Sequence, residues 1–128
     1  MISKKRKPVS GSYQSLTVWH RSIDLSVAVY ELTRGFPSDE LYGMTSQLRR
    51  AAVSVSSNIA EGYGRASKAE FRRFLAIARG SAMEIQSQLV VAGKLKLGNP
   101  RSAQSAGALA DEVGKMLWAL MERLTVKS

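Results

Sequence analysis

The stretch SSNIAEGYGRAS, residues 56–67, decides how the chain is read. Gly62 and Gly64 lie in it, with Arg65 and Lys68 close behind. A dinucleotide loop needs a strand before it, a helix opening on it and glycines at G-x-G-x-x-G spacing. Here the third position is Ser67, the preceding run is not strand-like, and no Gly-Lys-Ser/Thr follows to make a P-loop. The stretch reads instead as a corner between two helices. Gly62 and Gly64 supply positive φ cheaply and end the first. Ser67 and Glu70 form an S-x-x-E capping box that opens the next.

Working upstream, Leu41, Thr45, Leu48, Ala52, Val55 and Ile59 alternate by four and three, a bundle seam. Ser38 is the expected N-cap of that helix, with Asp39 and Glu40 in its first turn. Before it, a helix over residues 17–34 carries Val18, Leu25, Val29 and Leu32, continued by Phe36. Downstream of the corner, Phe71, Phe74, Leu75, Ala78, Ala82, Ile85, Leu89 and Ala92 mark a third helix. KLKLGNPRS ends it, with Asn99 as the next cap and Pro100 at the first helical position. Ala106, Leu109, Ala110, Val113, Leu117, Leu120 and Leu124 mark a fourth. Nothing alternates like a strand. The expected fold is all-α, an antiparallel up-down-up-down four-helix bundle over residues 16–128. Residues 1–15, charged and holding Pro8, Gly11 and several serines, read as a disordered basic tail.

Several large apolar residues fall off these seams. Trp19, Ile23, Val27 and Tyr30 form a second stripe about 130° from the first on the opening helix, at ~100° per residue. Ile77, Val90, Val91 and Trp118 lie on outer faces. This is more apolar surface than one small bundle buries, so Trp19, Tyr30, Ile77, Val90 and Trp118 are candidate contacts in a homo-oligomer.

Composition narrows the function. Nineteen basic and ten acidic residues leave +9. Lys4, Lys5, Arg6 and Lys7 carry four of those charges; residues 42–83 hold seven basic residues against Glu61 and Glu70. Such a field favours polyanions, RNA or DNA first. No apolar run spans a membrane, the basic N-terminus lacks the apolar region of a signal peptide, and there is no cysteine, so a cytoplasmic protein is expected. Catalysis has no support. The lone His20 has no partner identifiable in sequence, and ligand sets at metal spacing are absent. Ser54, Ser57 and Ser81 lack a nucleophile-elbow context. No enzyme, metal or cofactor is expected.

The candidate nucleic-acid contacts are Arg49 and Arg50 on the second helix, with Arg65, Lys68, Arg72, Arg73 and Arg79 at the corner and on the third. Arginine engages phosphate through two parallel hydrogen bonds without reading bases. It equally covers a seam with its stem or pairs with a neighbouring carboxylate. Aromatics among these charges are few (Tyr63, Phe71, Phe74), which argues against a base-stacking platform. A protein-interaction scaffold meeting an acidic partner is the alternative.

LYGMTSQLRRAAVSVSSNIAEGYGR (41–65) followed by EFRRFLAIARGSAMEI (70–85) resembles a bacterial family. These are the four-helix-bundle proteins encoded in intervening sequences of large-subunit ribosomal RNA genes. That family is similar to the accessory variability protein of diversity-generating retroelements. The resemblance spans about residues 16–124 and rests on QLRRAA, NIAEG, GR and ARGS in order. Arg49, Arg50, Asn58, Glu61, Gly62, Gly64, Arg65 and Gly80 match by position; the tail KKRKP does not belong to the pattern. The resemblance implies a homopentameric barrel of four-helix bundles with a basic surface, nucleic-acid binding and, in the retroelement branch, association with a reverse transcriptase. Asn58, Glu61, Gly62, Gly64 and Ser67 are expected to be structural at the corner.

Overall fold

The computed structural model describes residues 12–125. Most of the basic tail, residues 1–11, lies outside the described residues. The chain forms a 3-10 turn Tyr13–Ser15, α1 Thr17–Arg34, a 3-10 turn Ser38–Glu40, a wide π-type turn Leu41–Thr45, α2 Ser46–Tyr63, α3 Lys68–Lys94 and α4 Pro100–Arg123. No strand occurs among the described residues.

Each helix buries the seam its spacing announces. Val18, Leu25, Val29 and Leu32 of α1, Leu48, Ala52, Val55 and Ile59 of α2, Leu75, Ala78, Ala82 and Ile85 of α3, and Ala106, Ala110, Val113 and Leu117 of α4 form one core. The alanines let helices approach closely while the leucines fill between them. Helix α1 packs on α2 and α4, and α3 packs on the same two. Ser54 meets Ser81 at 2.9 Å, Gln47 meets Gln88 at 3.3 Å, and Gly62 sits against Phe71 and Phe74. Between α3 and α4, Arg72 reaches Met121 and Leu89 lies over Gly107.

Four local expectations need correction or completion. Ser38 does not cap α2. Instead the Glu40 carboxylate accepts from the Met44 N–H at 3.1 Å, Gly43 departs from helical geometry (φ −111°, ψ −114°), and α2 starts at Ser46. Leu41 is accordingly exposed, and the seam begins at Thr45. Neither Gly62 nor Gly64 has positive φ: Gly62 is buried inside α2, and Gly64 closes the helix at φ −79°, ψ −4°. Positive φ occurs at Lys96 and Gly98, in the turn before α4. The corner serine does cap α3, accepting from the Glu70 N–H at 3.1 Å, while the Glu70 carboxylate turns to Arg73. At the next helix start, Asn99 Oδ1 accepts from the N–H groups of Arg101 and Ser102, with Pro100 at the first helical position. This cap is as the sequence indicated.

The start of α1 has no side-chain cap of its own. It is fixed by the preceding 3-10 turn, which Ser12 caps through the Gln14 N–H. His20 Nε2 donates to the Gln14 carbonyl at 2.8 Å, and Tyr13 meets Trp19 edge-on at 5.1 Å. His20 thus has a structural partner that sequence spacing could not reveal. Residues 13–15, assigned to the tail by composition, belong to this small assembly.

Candidate nucleic-acid interface

The seven candidate cations fall in three places. At the α2–α3 corner the fold gathers Arg65, Lys68, Arg72 and Arg73. The corner exists because Gly62 lets α3 come within contact of α2: a Cβ there would lie 2.6 Å from the Phe74 Cβ. That approach places the Phe74 ring beneath two guanidinium groups, Arg65 at 4.9 Å and Arg73 at 4.5 Å from its centroid. Tyr63 closes on Phe71 edge-on at 5.4 Å.

Each corner arginine also has an intramolecular acceptor. Arg65 Nη2 donates to Glu61 at 2.6 Å, one helical turn back. Arg73 donates to both Glu70 oxygens at 3.2 and 3.3 Å. Arg72 Nε donates to the Met121 carbonyl in the last turn of α4, where the helix dipole favours a cation. The hydrogen bonds and charge of Arg73 hold the Glu70 carboxyl below its usual range, and Glu70 raises Arg73 in turn. Lys68 is exposed and has no ion-pair partner among the described residues.

Arg49 and Arg50 lie elsewhere on α2, Arg49 turned to α1 and Arg50 also bordering α3. Arg49 is half-buried, donates to Thr33 Oγ1 at 2.8 Å and lies 4.4 Å over the Tyr30 ring. Arg50 is exposed, beside a shallow polar depression formed with Gln47, Ser54, Ser81 and Glu84. Arg79 is on the α3–α4 side, 4.9 Å over the Trp118 ring. The seven-residue spacing of Arg65, Arg72 and Arg79 therefore does not yield one stripe of free charges. Arg65 precedes α3, and the others turn to different partners.

Among the remaining named residues, Asn58 binds one turn back, through Nδ2 to the Ser54 carbonyl and hydroxyl, rather than at a helix end. Of the apolar contact candidates, Tyr30, Ile77, Val90 and Trp118 are exposed, whereas Trp19 is half-buried against the core. Sequence reading missed the Arg21 bridge, which ties α1 to Glu112 of α4 at 2.9 Å and to Asp24 at 2.6 Å. Arg21 keeps the Glu112 carboxyl below its usual range. Glu112 lies 91 residues from Arg21 in sequence, so no local spacing signals that half of the bridge.

Among the described residues no group of three or more His, Cys, Asp or Glu could hold a metal ion, and no helix is long and apolar enough to cross a membrane. Fold and surface together define an all-α, four-helix protein whose α2–α3 corner gathers four cations. The chain belongs to the 23S rRNA-intervening sequence protein family, whose model matches residues 14–119. In fold it is similar to the crystal structure of a protein with unknown function from the S23 ribosomal protein family of Bacteroides thetaiotaomicron. That likeness has a TM-score of 0.73 at 22% identity, covering 82% of this chain and 98% of the other. No curated protein matches the chain.

Proposed function

We propose that the chain is a non-enzymatic, oligomeric helical-bundle protein that binds RNA or DNA through a basic surface without strong sequence specificity. The observation that carries this reading is the α2–α3 corner, where Arg65 and Arg73 lie over the Phe74 ring and Lys68 and Arg72 stand close by in the chain. Their internal bonds do not use up the guanidinium groups. Arginine has five N–H donors, and Arg65 commits one to Glu61 while Arg73 commits two to Glu70. The remaining donors suit phosphate oxygens, which position a strand without reading its bases.

The helices run antiparallel, up-down-up-down, a reading supported by the pairings of Ser54 with Ser81, Arg72 with Met121 and Ser26 with the Ala52 carbonyl. Exposed Tyr30, Ile77, Val90 and Trp118 support assembly with copies of itself, and the family resemblance supplies the number five. A cytoplasmic location follows from the same reading. The resemblance to accessory variability proteins supports a second role, as an accessory subunit of a reverse transcriptase or another acidic partner.

A salt titration with purified duplex DNA, single-stranded DNA and structured RNA tests the reading. Phosphate binding should weaken steeply with salt, with a log–log slope of about −0.9 per phosphate neutralised on duplex DNA. Arg65→Ala with Arg73→Ala should weaken binding to unrelated sequences alike and flatten that slope. Absence of binding to all three at low salt would remove nucleic acid as the ligand and leave the scaffold role.

A further inference from the structure

The end of the α3–α4 hairpin has a hollow that the corner, at the other end of α3, does not explain. It is an open cavity of about 690 Å³ between the last turns of α3, the turn that follows and the first turns of α4. Pockets that hold small molecules measure about 300–1,000 Å³. Leu89, Val90, Leu97, Pro100 and Ala103 give this one apolar walls. Gly93 and Gly107 line it too, and nothing stands within 4 Å of where a Gly93 Cβ would be. The α3 wall, from Gln86 to Gly93, runs about 10 Å at ~1.5 Å rise per residue.

One cation lines the cavity, Lys96. Its backbone is left-handed (φ 59°), at the place past a helix end where glycine is the usual residue, and any Cβ there adds strain. Its ammonium has no ion-pair partner among the described residues. Strain kept at a residue whose charge has no internal partner points to a ligand. The surroundings are of one sign. No carboxylate lines the cavity, the 26 residues from 85 to 110 contain no acid, and Lys94 and Arg101 lie on either side of Lys96 in sequence. Past these bounds, Glu84 faces α2 and accepts from Gln88, and Asp111 is paired with Lys115 at 3.1 Å. On the α1–α2 turn, which comes against Gly98 at Phe36, Glu40 is held by the Met44 N–H and Asp39 is exposed.

The walls decide what fits. Besides Lys96, their polar side chains are those of Gln86 and Gln104. An extended peptide brings an N–H and a C=O at every residue, more than two amides satisfy. Bases find no aromatic ring to stack on. An alkyl chain needs neither, and its burial is favourable. We propose that this cavity binds an amphipathic monocarboxylate, a fatty acid of medium chain length, with the chain along the α3 and α4 walls and the carboxylate at Lys96. The Lys96 stem extends the apolar surface while its ammonium stays at the mouth. Helix α4 begins at that mouth with Pro100, so its dipole adds to the attraction. The N–H groups of Arg101 and Ser102 are taken by Asn99 Oδ1, which leaves the anion to side chains. The site is separate from the corner and does not depend on the nucleic-acid reading.

Decanoate is the probe, titrated by calorimetry below its micelle-forming concentration. One saturable site per chain is expected, with a negative heat-capacity change from apolar burial. Methyl NMR signals of Leu89, Val90 and Leu97 should shift with it. Decyltrimethylammonium, the same chain with the opposite charge, should bind about tenfold more weakly. Gly93→Leu puts a side chain into the hollow at a helical position with space around its Cβ. It should abolish binding while helix content and the denaturation midpoint hold or rise. Lys96→Gly should weaken decanoate about fivefold although it relieves the left-handed strain and makes the protein more stable. The absence of saturable binding overturns the proposal. So does binding that Gly93→Leu leaves intact, or that the cationic probe matches. If the wild type ignores decanoate and Gly93→Leu changes the solution mass by light scattering, the hollow belongs to a protein contact instead.

Discussion

The turn between α2 and α3 and the turn between α3 and α4 both use glycine, for different physical reasons. In the first, no residue takes positive φ, and Ser67 is extended. Gly64 ends α2 at φ −79°, and its N–H reaches back to the carbonyls of Ala60 and Glu61. What this corner asks of glycine is space, at Gly62, where α3 crosses closely. In the second turn the backbone becomes left-handed, at Lys96 (φ 59°) and Gly98 (φ 75°). The Leu97 N–H reaches the Ala92 carbonyl at 2.9 Å and the Lys96 N–H reaches Gly93 at 3.0 Å, the two bonds of a Schellman motif. Glycine at the corner permits contact between helices; glycine before α4 permits a backbone conformation.

The comparison breaks most visibly at Gly98, where both demands coincide. A side chain there would take a left-handed φ, and its Cβ would lie 2.7 Å from Phe36 Cε1 and 2.8 Å from Leu32 Cδ1. Those two side chains are buried and cannot swing away. Gly98→Ala should cost about 3 kcal/mol, combining left-handed strain with overpacking, as read from chemical denaturation. A loss under about 1 kcal/mol would mean that the turn relaxes and that the conformation is not required.

Gly62 isolates the packing demand. It is helical, so alanine brings a propensity gain, but the new Cβ would stand 2.6 Å from the Phe74 Cβ and 3.3 Å from the Phe71 carbonyl oxygen. A backbone oxygen and a Cβ cannot rotate out of the way. Gly62→Ala should therefore destabilise by about 1–2 kcal/mol, overpacking less the helix-propensity gain. The same substitution should loosen the Phe74 ring from Arg65 and Arg73, detectable as a shift of the ring protons in NMR.

These two positions show what was legible in the sequence. The four seams, the Ser67 and Asn99 caps and the bounds of α1 follow from local spacing and local hydrogen bonds, and the chain obeys them. The start of α2 was not legible, because Leu41 continues the period while Gly43 and the Glu40 carboxylate redirect the backbone. Gly64 was readable as the helix stop, but the close crossing at Gly62, inside α2, was not, since it depends on Phe71 and Phe74 arriving from α3. Arg65, Arg72 and Arg79 share a heptad spacing, yet their partners (Glu61, Met121 and Trp118) lie partly on another helix. Heptad spacing specifies a direction from one axis and says nothing of what stands there.

Lys96 isolates the conformational demand. It holds the left-handed position of the Schellman motif, where glycine is the usual residue, and its side chain is exposed. Lys96→Gly should stabilise the protein by about 1 kcal/mol, because the strain of a Cβ at left-handed φ disappears.

The smallest effect is expected at Gly64, which has neither demand. Its φ of −79° and ψ of −4° are open to any L-residue, and the nearest atoms to an added Cβ are the carbonyl oxygens of Glu61 and Ala60, at 3.6 and 3.8 Å. That is ordinary contact. Alanine also restricts the unfolded chain more than glycine does, so Gly64→Ala should raise stability by about 0.5 kcal/mol, with a matching rise in the denaturation midpoint. The Arg65 bond to Glu61 arises one residue further on and does not pass through the Gly64 side, so nucleic-acid affinity should stay unchanged. A clear loss of stability would show that the corner does need a glycine-specific backbone in solution. The distinction drawn between the two turns would then collapse, with both requiring left-handed geometry.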